Sequence, residues 1–114
     1  MEATSTPQLL IFPTAQTMTP DLSFQTIREL GRLLRCRWVS TVELAEHFLN
    51  RLERIGPRFN AVVTVTRELA MQQARAAQSD LDRGIDRGLL HGIPYGAKDL
   101  LATAGVPTTW GAAP

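Results

Sequence analysis

Lys98 and Asp99 stand side by side in "GIPYGAKDLLATAGVPTTWG", residues 92–111. Lys98 is the only lysine in the chain; the rest of its 12 Lys and Arg side chains are arginines. The two cations differ in one property that matters for chemistry. A desolvated lysine can give up its proton, whereas a guanidinium in practice cannot. In apolar surroundings a lysine becomes a base that works near neutral pH. Ile93, Tyr95, Ala97, Leu100 and Leu101 are apolar neighbours in sequence, and the glycines around them allow close backbone approach. The competing reading is a surface or salt-bridged loop lysine. Composition alone leaves both open.

Other side chains in the segment have chemical uses too. Asp99 can orient Lys98 or cap the following turn, and the structural role is the one expected. Thr108 and Thr109 can support an active-site loop, though threonine is common in extended segments. His91 can border a pocket, but a solvated loop histidine is expected. Tyr95 and Trp110 can line an acyl pocket, with buried aromatic packing as the expectation. His47 lies among helix residues with no partner at metal-ligand spacing. The single cysteine, Cys36, excludes an internal disulfide and a multi-cysteine metal site, and reads as a small buried hydrophobe. It fits a reducing, cytoplasmic compartment. There is no P-loop, no G-x-G-x-x-G and no metal cluster in the sequence. Neither a cofactor nor a metal is therefore expected.

Three amphipathic helices must position this segment. The first carries Ile27, Leu30, Gly31 and Leu34 at helical spacing, with Ser23 or Asp21 as its cap and an end near Cys36. The second opens on "STVE", residues 40–43, a capping box of Ser40 and Glu43. Its apolar stripe is Val42, Ala45, Phe48, Leu49, Leu52 and Ile55, and Gly56-Pro57 should close it. "NAVVTV", residues 60–65, reads as a strand or extended connector. Thr66 should cap the third helix, with Glu68 in its first turn and Ala70, Ala74, Ala77 and Leu81 on its buried face. "DRGIDRG", residues 82–88, reads as a helix end and turn. Residues 93–97 suggest a strand, 100–103 a short helical turn, and 106–109 an extended run. Helices followed by a glycine-rich strand look like the front of a larger α/β domain.

The composition is that of a soluble globular chain: 114 residues, 44% hydrophobic and 20% charged. A net charge of +1 with interspersed signs gives no footprint for direct nucleic-acid or anionic-membrane binding. No apolar run approaches the ~20 residues that span a bilayer. Residues 1–22, rich in Thr, Pro and Gln, read as a flexible N-terminal tail without a basic leader region. Met18 is a candidate true start.

"LLHGIPYGAKDLLATAGVPTTWG" resembles the stretch that opens the catalytic core of the amidase signature family. The family pattern is Leu-x-Gly-Ile-Pro-x-x-x-Lys-Asp, then a Gly and Thr-Thr-x-Gly. It falls here on Leu90, Gly92, Ile93, Pro94, Lys98, Asp99, Gly105, Thr108, Thr109 and Gly111. The upstream "STVELAEHFLNRLERIGPRFNAVVTV" is also similar, so the resemblance covers roughly residues 23–113. It implies an α/β fold: an α/β/α sandwich around a mixed sheet, of which this chain holds the N-terminal helices and first strands. It also implies amide hydrolysis by a Ser–cis-Ser–Lys triad, with Lys98 as the base at the end of a serine relay. That role explains why a lysine stands where arginine would otherwise serve.

The departures from the pattern are equally plain. The family's two serines lie downstream in a Gly/Ser-rich segment. Ser5, Ser23, Ser40 and Ser79 match no such motif. Ala112 stands where many members have serine. Residues 23–114 are therefore expected to be the N-terminal part of an amidase domain, truncated before the catalytic serines and inactive alone. The expected substrate is a small-molecule amide, and a homodimer is one assembly considered. The alternative is the A subunit of a tRNA-dependent amidotransferase, working with that enzyme's other subunits. From another class, a non-catalytic helical binding fragment is also considered.

Overall fold

The computed structural model describes residues 21–112. Most of the expected tail, Met18 included, lies outside the described residues. Its last residue, Leu22, begins a 3-10 turn, Leu22–Phe24, and packs against the core. Three helices follow: α1 (Ile27–Arg35), α2 (Thr41–Phe59) and α3 (Arg67–Asp82).

Local chemistry explains where each begins. Thr26 caps α1, its side-chain oxygen accepting from the Glu29 N–H at 3.1 Å. The cap expected from Asp21 or Ser23 is displaced, because Asp21 instead accepts from the Ser23 N–H and caps the 3-10 turn. At α2 the capping box forms as read: Ser40 Oγ accepts from the Glu43 N–H at 3.0 Å, and Glu43 Oε2 from the Ser40 N–H at 2.9 Å. Thr66 precedes α3 but makes no side-chain cap bond. Glu68 lies in the first turn, where an acidic side chain suits the helix dipole.

The end of α2 differs from expectation. Gly56 and Pro57 lie inside the helix, which runs to Phe59 and stops at Asn60 in the left-handed conformation. Pro57 removes only one donor near the helix end, and Asn60 tolerates the left-handed cap that follows. Gly56 is buried because residue 62 crosses it: a Cβ there would lie 2.9 Å from Val62 Cγ2.

The core is small. Leu30 and Leu34 of α1 meet Leu44 of α2, and Leu22, Val39, Phe48 and Ile93 pack around them. The buried face of α2 is centred on Thr41, Leu44, Ala45 and Leu49. It is rotated from the stripe read in sequence, and Leu52 is left 41% exposed. The rotation follows from α2 having neighbours on two sides, α1 and α3. Ala74 is the buried small residue that lets α3 approach. Thr41, only 1% exposed, joins the two helices: Oγ1 donates to the Ala74 carbonyl at 2.5 Å, and its N–H to Gln78 Oε1 at 2.8 Å.

The expected first strands do not form among the described residues. Residues 60–65 are a connector between α2 and α3, and residues 93–97 are irregular. The helical turn expected at 100–103 is a bend and turn without helix. One isolated antiparallel bridge, Thr103 to Val106, is the extent of β pairing among the described residues. An apolar, β-branched run becomes a strand only when another edge takes up its N–H and C=O groups. No such edge faces these runs among the described residues. The α/β/α sandwich expected from the resemblance is thus not present in the described, helical part. Cys36, expected inside, is exposed in the turn after α1.

Candidate active site

The segment around Lys98 is held to the helices by two charged anchors. Arg35, at the C-terminal end of α1, reaches forward over more than fifty residues of chain. Its guanidinium forks onto Asp86, Nε to Oδ2 at 3.0 Å and Nη2 to Oδ1 at 2.7 Å. The same group donates to the carbonyls of Gly88 at 2.8 Å and His91 at 3.1 Å. A planar five-donor fork can hold a carboxylate and two carbonyls together; an ammonium lacks that geometry. The Arg35 contact, helped by the Gly88 N–H, pulls the Asp86 carboxyl down to about 2.

Asp80, late in α3, is the second anchor. Its carboxylate meets Arg83 at 2.8 Å and Arg87 at 3.2 Å. Burial works against its ionisation, but Arg87 and then Arg83 outweigh that, and the carboxyl stays below its usual range. His91 leans on the same group. Its side chain is 11% exposed, with Nε2 3.6 Å from Asp80 Oδ2, while Nδ1 accepts from the Arg87 N–H at 3.0 Å. The accepting Nδ1 places the ring proton on Nε2, facing the carboxylate. The solvated loop histidine expected from sequence is instead a strut inside the turn.

Gly92 and Ile93 then seat the chain on the core. Gly92 has φ +91°, and a Cβ there would lie 2.8 Å from Thr41 Cγ2 and 3.2 Å from Leu34 Cδ1. Ile93 packs against the Leu30, Leu34 and Leu44 cluster. These contacts give the Gly-Ile pair of the motif a physical reason: one residue allows the approach and the next fills the space.

Beyond Pro94 the chain leaves the core. Lys98 is exposed, and its ammonium makes no ion pair among the described residues. Its carbonyl accepts from the Leu101 N–H at 3.0 Å, which starts a turn. Asp99 closes the loop that follows. Its carboxylate accepts the Thr109 N–H at 2.9 Å and also the Thr109 hydroxyl, and its carbonyl accepts the Trp110 N–H at 3.2 Å. The Thr109 hydroxyl and then the Thr109 N–H hold the Asp99 carboxyl below its usual range. Asp99 is therefore a clasp, and Thr109 is its partner. The Thr103–Val106 bridge sits at the tip of the clasped loop.

The aromatic expectation is overturned. Tyr95 is 87% and Trp110 71% exposed. Leu89, Leu90, Leu100 and Leu101 are also large exposed apolar groups. Among the described serines, Ser40 is taken by its cap and Ser23 by His47, at 2.8 Å. The arrangement presents a lysine on a closed loop, beside an apolar surface. No group of three or more His, Cys, Asp or Glu placed to hold a metal occurs among the described residues. Nor is any helix among them long and apolar enough to cross a membrane. Sequence reading missed Arg35, Asp80 and Asp86, whose partners lie far apart along the chain and leave no local pattern.

Comparison with known proteins supplies the context. The chain is 37% identical over 89 residues to the A subunit of glutamyl-tRNA(Gln) amidotransferase from Carboxydothermus hydrogenoformans, covering 78% of this chain and 18% of that protein. A protein named putative amidase AmiD, from Mycobacterium tuberculosis, is 40% identical over 85 residues, covering 75% of this chain and 18% of its own length. The A subunit of glutamyl-tRNA(Gln) amidotransferase from Coxiella burnetii is 40% identical over 87 residues, covering 76% and 18%. The chain thus spans about a fifth of the length of these curated relatives. No solved structure matches it. The family model described as Amidase matches residues 43–113, which takes in most of α2, all of α3, the carboxylates Asp80 and Asp86 of the two anchors, and the clasped loop from Lys98 to Gly111; the chain belongs to the amidase family.

Proposed function

We propose that this chain is the N-terminal part of an enzyme that hydrolyses carboxylic amide C–N bonds, and that Lys98 is its catalytic base. The observation that carries this reading is the Asp99–Thr109 clasp. It fixes the backbone on either side of the loop that begins at Lys98, so the lysine is presented from a defined position. A base must be positioned before its proton affinity is of use.

In the reaction the resemblance implies, a serine oxygen attacks the amide carbonyl carbon. Its proton passes through a second serine to the Lys98 amine. The lysine returns that proton through the relay to the leaving nitrogen, and the amine or ammonia departs. Water then repeats the sequence on the acyl-serine and releases the acid. Under this reading the nucleophile and its oxyanion donors would be supplied by the rest of such an enzyme. The exposed apolar groups on the Lys98 segment are the surface such further chain would cover, which would also exclude water from the lysine.

The test uses a protein containing a complete amidase domain continuous with this sequence. Lys98→Ala should abolish nearly all ammonia release from simple amides while leaving the circular-dichroism spectrum unchanged. Lys98→Arg should be almost as inactive, because a guanidinium cannot take the proton. Wild-type turnover in the arginine variant would sink the base assignment.

A second reading is favoured by the names of the matched relatives. Two of the three are A subunits of glutamyl-tRNA(Gln) amidotransferase. Under that reading the same lysine would serve ammonia release from glutamine, coupled to partner subunits. Ammonia release that rises when those partners are added would select it. Partner-independent release would select the amidase. Absence of either activity in the complete protein would leave the non-catalytic helical module.

A further inference from the structure

One side of α2 forms a cleft with the 3-10 turn. Asp21, Ser23, His47, Asn50, Arg51 and Arg54 line it around about 290 Å3 of open volume. Four of these come from α2 at positions 47, 50, 51 and 54, which helical geometry places on one side. Arg51 and Arg54 contribute two guanidinium groups. Elsewhere Arg32, Arg35, Arg37, Arg67, Arg83 and Arg87 each meet a carboxylate. Arg51 and Arg54, like Arg28, Arg58 and Arg75, meet none within ion-pair distance among the described residues, but only these two share a cleft. Arg51 is also held in place, its guanidinium carbon 5.2 Å from the centre of the Phe24 ring.

Among the neutral groups Asn50 adds donors. Asn50 uses its Oδ1 to accept from Arg67 at 2.7 Å, so its NH2 is left for another acceptor. Ser23 Oγ and His47 Nε2 lie 2.8 Å apart. The Ser23 hydroxyl also hydrogen-bonds the Asp21 carboxylate, so Ser23 and His47 line the cleft as an already bonded pair. Asp21 brings one negative charge and is already engaged with the Ser23 N–H at 2.9 Å. Two fixed positive charges against one leave the cleft net positive.

From this geometry we infer that the cleft binds a phosphate-type dianion, as inorganic phosphate or as the head of a phosphate monoester. The donors, two guanidinium groups and the Asn50 NH2, all come from α2, and together they suit a group with several acceptor oxygens. Two guanidinium groups match its oxygens in geometry and charge. A dianion also gains more from the net positive cleft than a monoanion does. This site is separate from the Lys98 loop and does not depend on the amidase reading.

The test is a titration of the full chain at neutral pH and constant ionic strength, read by the His47 ring and arginine Nε resonances in NMR spectra. The probes are inorganic phosphate, phenyl phosphate, acetate and sodium chloride. The expected result is a saturable shift with the two phosphates only. Tighter binding of phenyl phosphate identifies the monoester as the ligand class, and equal binding identifies the free anion. Arg54→Gln, an exposed position, should weaken phosphate binding about tenfold, the loss of one charge-assisted contact. Arg51→Gln should do the same, with helical content checked by circular dichroism. Arg58→Gln, on the same helix but outside the cleft, should leave affinity unchanged. A shift that does not saturate, that chloride reproduces, or that survives Arg54→Gln at full affinity overturns the proposal.

Discussion

Replacing Gly92 by alanine tests the seating of the motif on the helices, because three glycines of one segment separate the terms involved. At Gly92 both terms are present. Its φ of +91° is one that L-residues rarely adopt, and an added Cβ would fall 2.8 Å from Thr41 Cγ2 and 3.2 Å from Leu34 Cδ1. Thr41 cannot give way easily, since it is 1% exposed and tied at both Oγ1 and N–H. Backbone strain costs roughly 1–2 kcal/mol and overpacking about 1–3 kcal/mol, so the expected loss is about 2–5 kcal/mol. Gly105 has φ +76° with nothing within 4 Å, so Gly105→Ala carries the strain alone, roughly 1–2 kcal/mol at most. Gly96 has neither a positive φ nor a neighbour within 4 Å. Gly96→Ala should be neutral or stabilising by up to about 1 kcal/mol, through the unfolded chain. The assay is urea unfolding of the full chain followed by far-ultraviolet circular dichroism. The reasoning requires Gly92→Ala to cost most and Gly96→Ala least. Equal losses at 92 and 105 would falsify the close contact with Thr41 and Leu34.

Other substitutions probe the caps and anchors. Ser40→Ala removes an Oγ that accepts the Glu43 N–H and should cost about 0.5–2 kcal/mol in the same unfolding assay. Arg35→Ala should speed amide hydrogen exchange through residues 86–92 while leaving exchange in α2 unchanged; slow exchange throughout would show the loop is held by something else. The pH dependence of that loop follows from Asp86, whose folded value is about 2 against an ordinary 3.8. A depressed carboxyl contributes fully above its unfolded value, and that contribution is lost as pH falls through the folded value. Protection of the Gly88 amide, which donates to Asp86 at 3.0 Å, should therefore decline between about pH 4 and pH 2. In Asp86→Asn that acid step should be absent, and its persistence would assign the step to another carboxyl.

Features decided within a few residues were legible in sequence. The Ser40–Glu43 box needs only its own four residues, so its pattern was sufficient. The start of α1 was harder, because Asp21, Ser23 and Thr26 are all competent caps. The choice turned on Asp21 being spent on the Ser23 N–H. Leu44 was missed as the centre of the α2 face because a stripe drawn for one neighbour fails when a helix has two. His91 was read as solvated because Asp80, eleven positions earlier, leaves no pattern that points to it. Arg35 and Asp86 are a stronger case of the same problem.

The motif around Lys98 divides along the same line. Gly92 and Ile93 are explained inside these residues, by the space beside Thr41 and the core they complete. Asp99 and Thr109 are explained by each other. Lys98, Tyr95, Leu100, Leu101 and Trp110 are not, since all are exposed and the described core makes no use of them. A folded segment that fixes its own backbone yet leaves its one lysine and its large apolar groups outside is shaped for something that covers it. That division is what the proposed role of Lys98 as a base would require, with the segment covered in the complete enzyme. A surface lysine would need no clasp behind it and no apolar groups around it, and one of the many arginines would have served in its place.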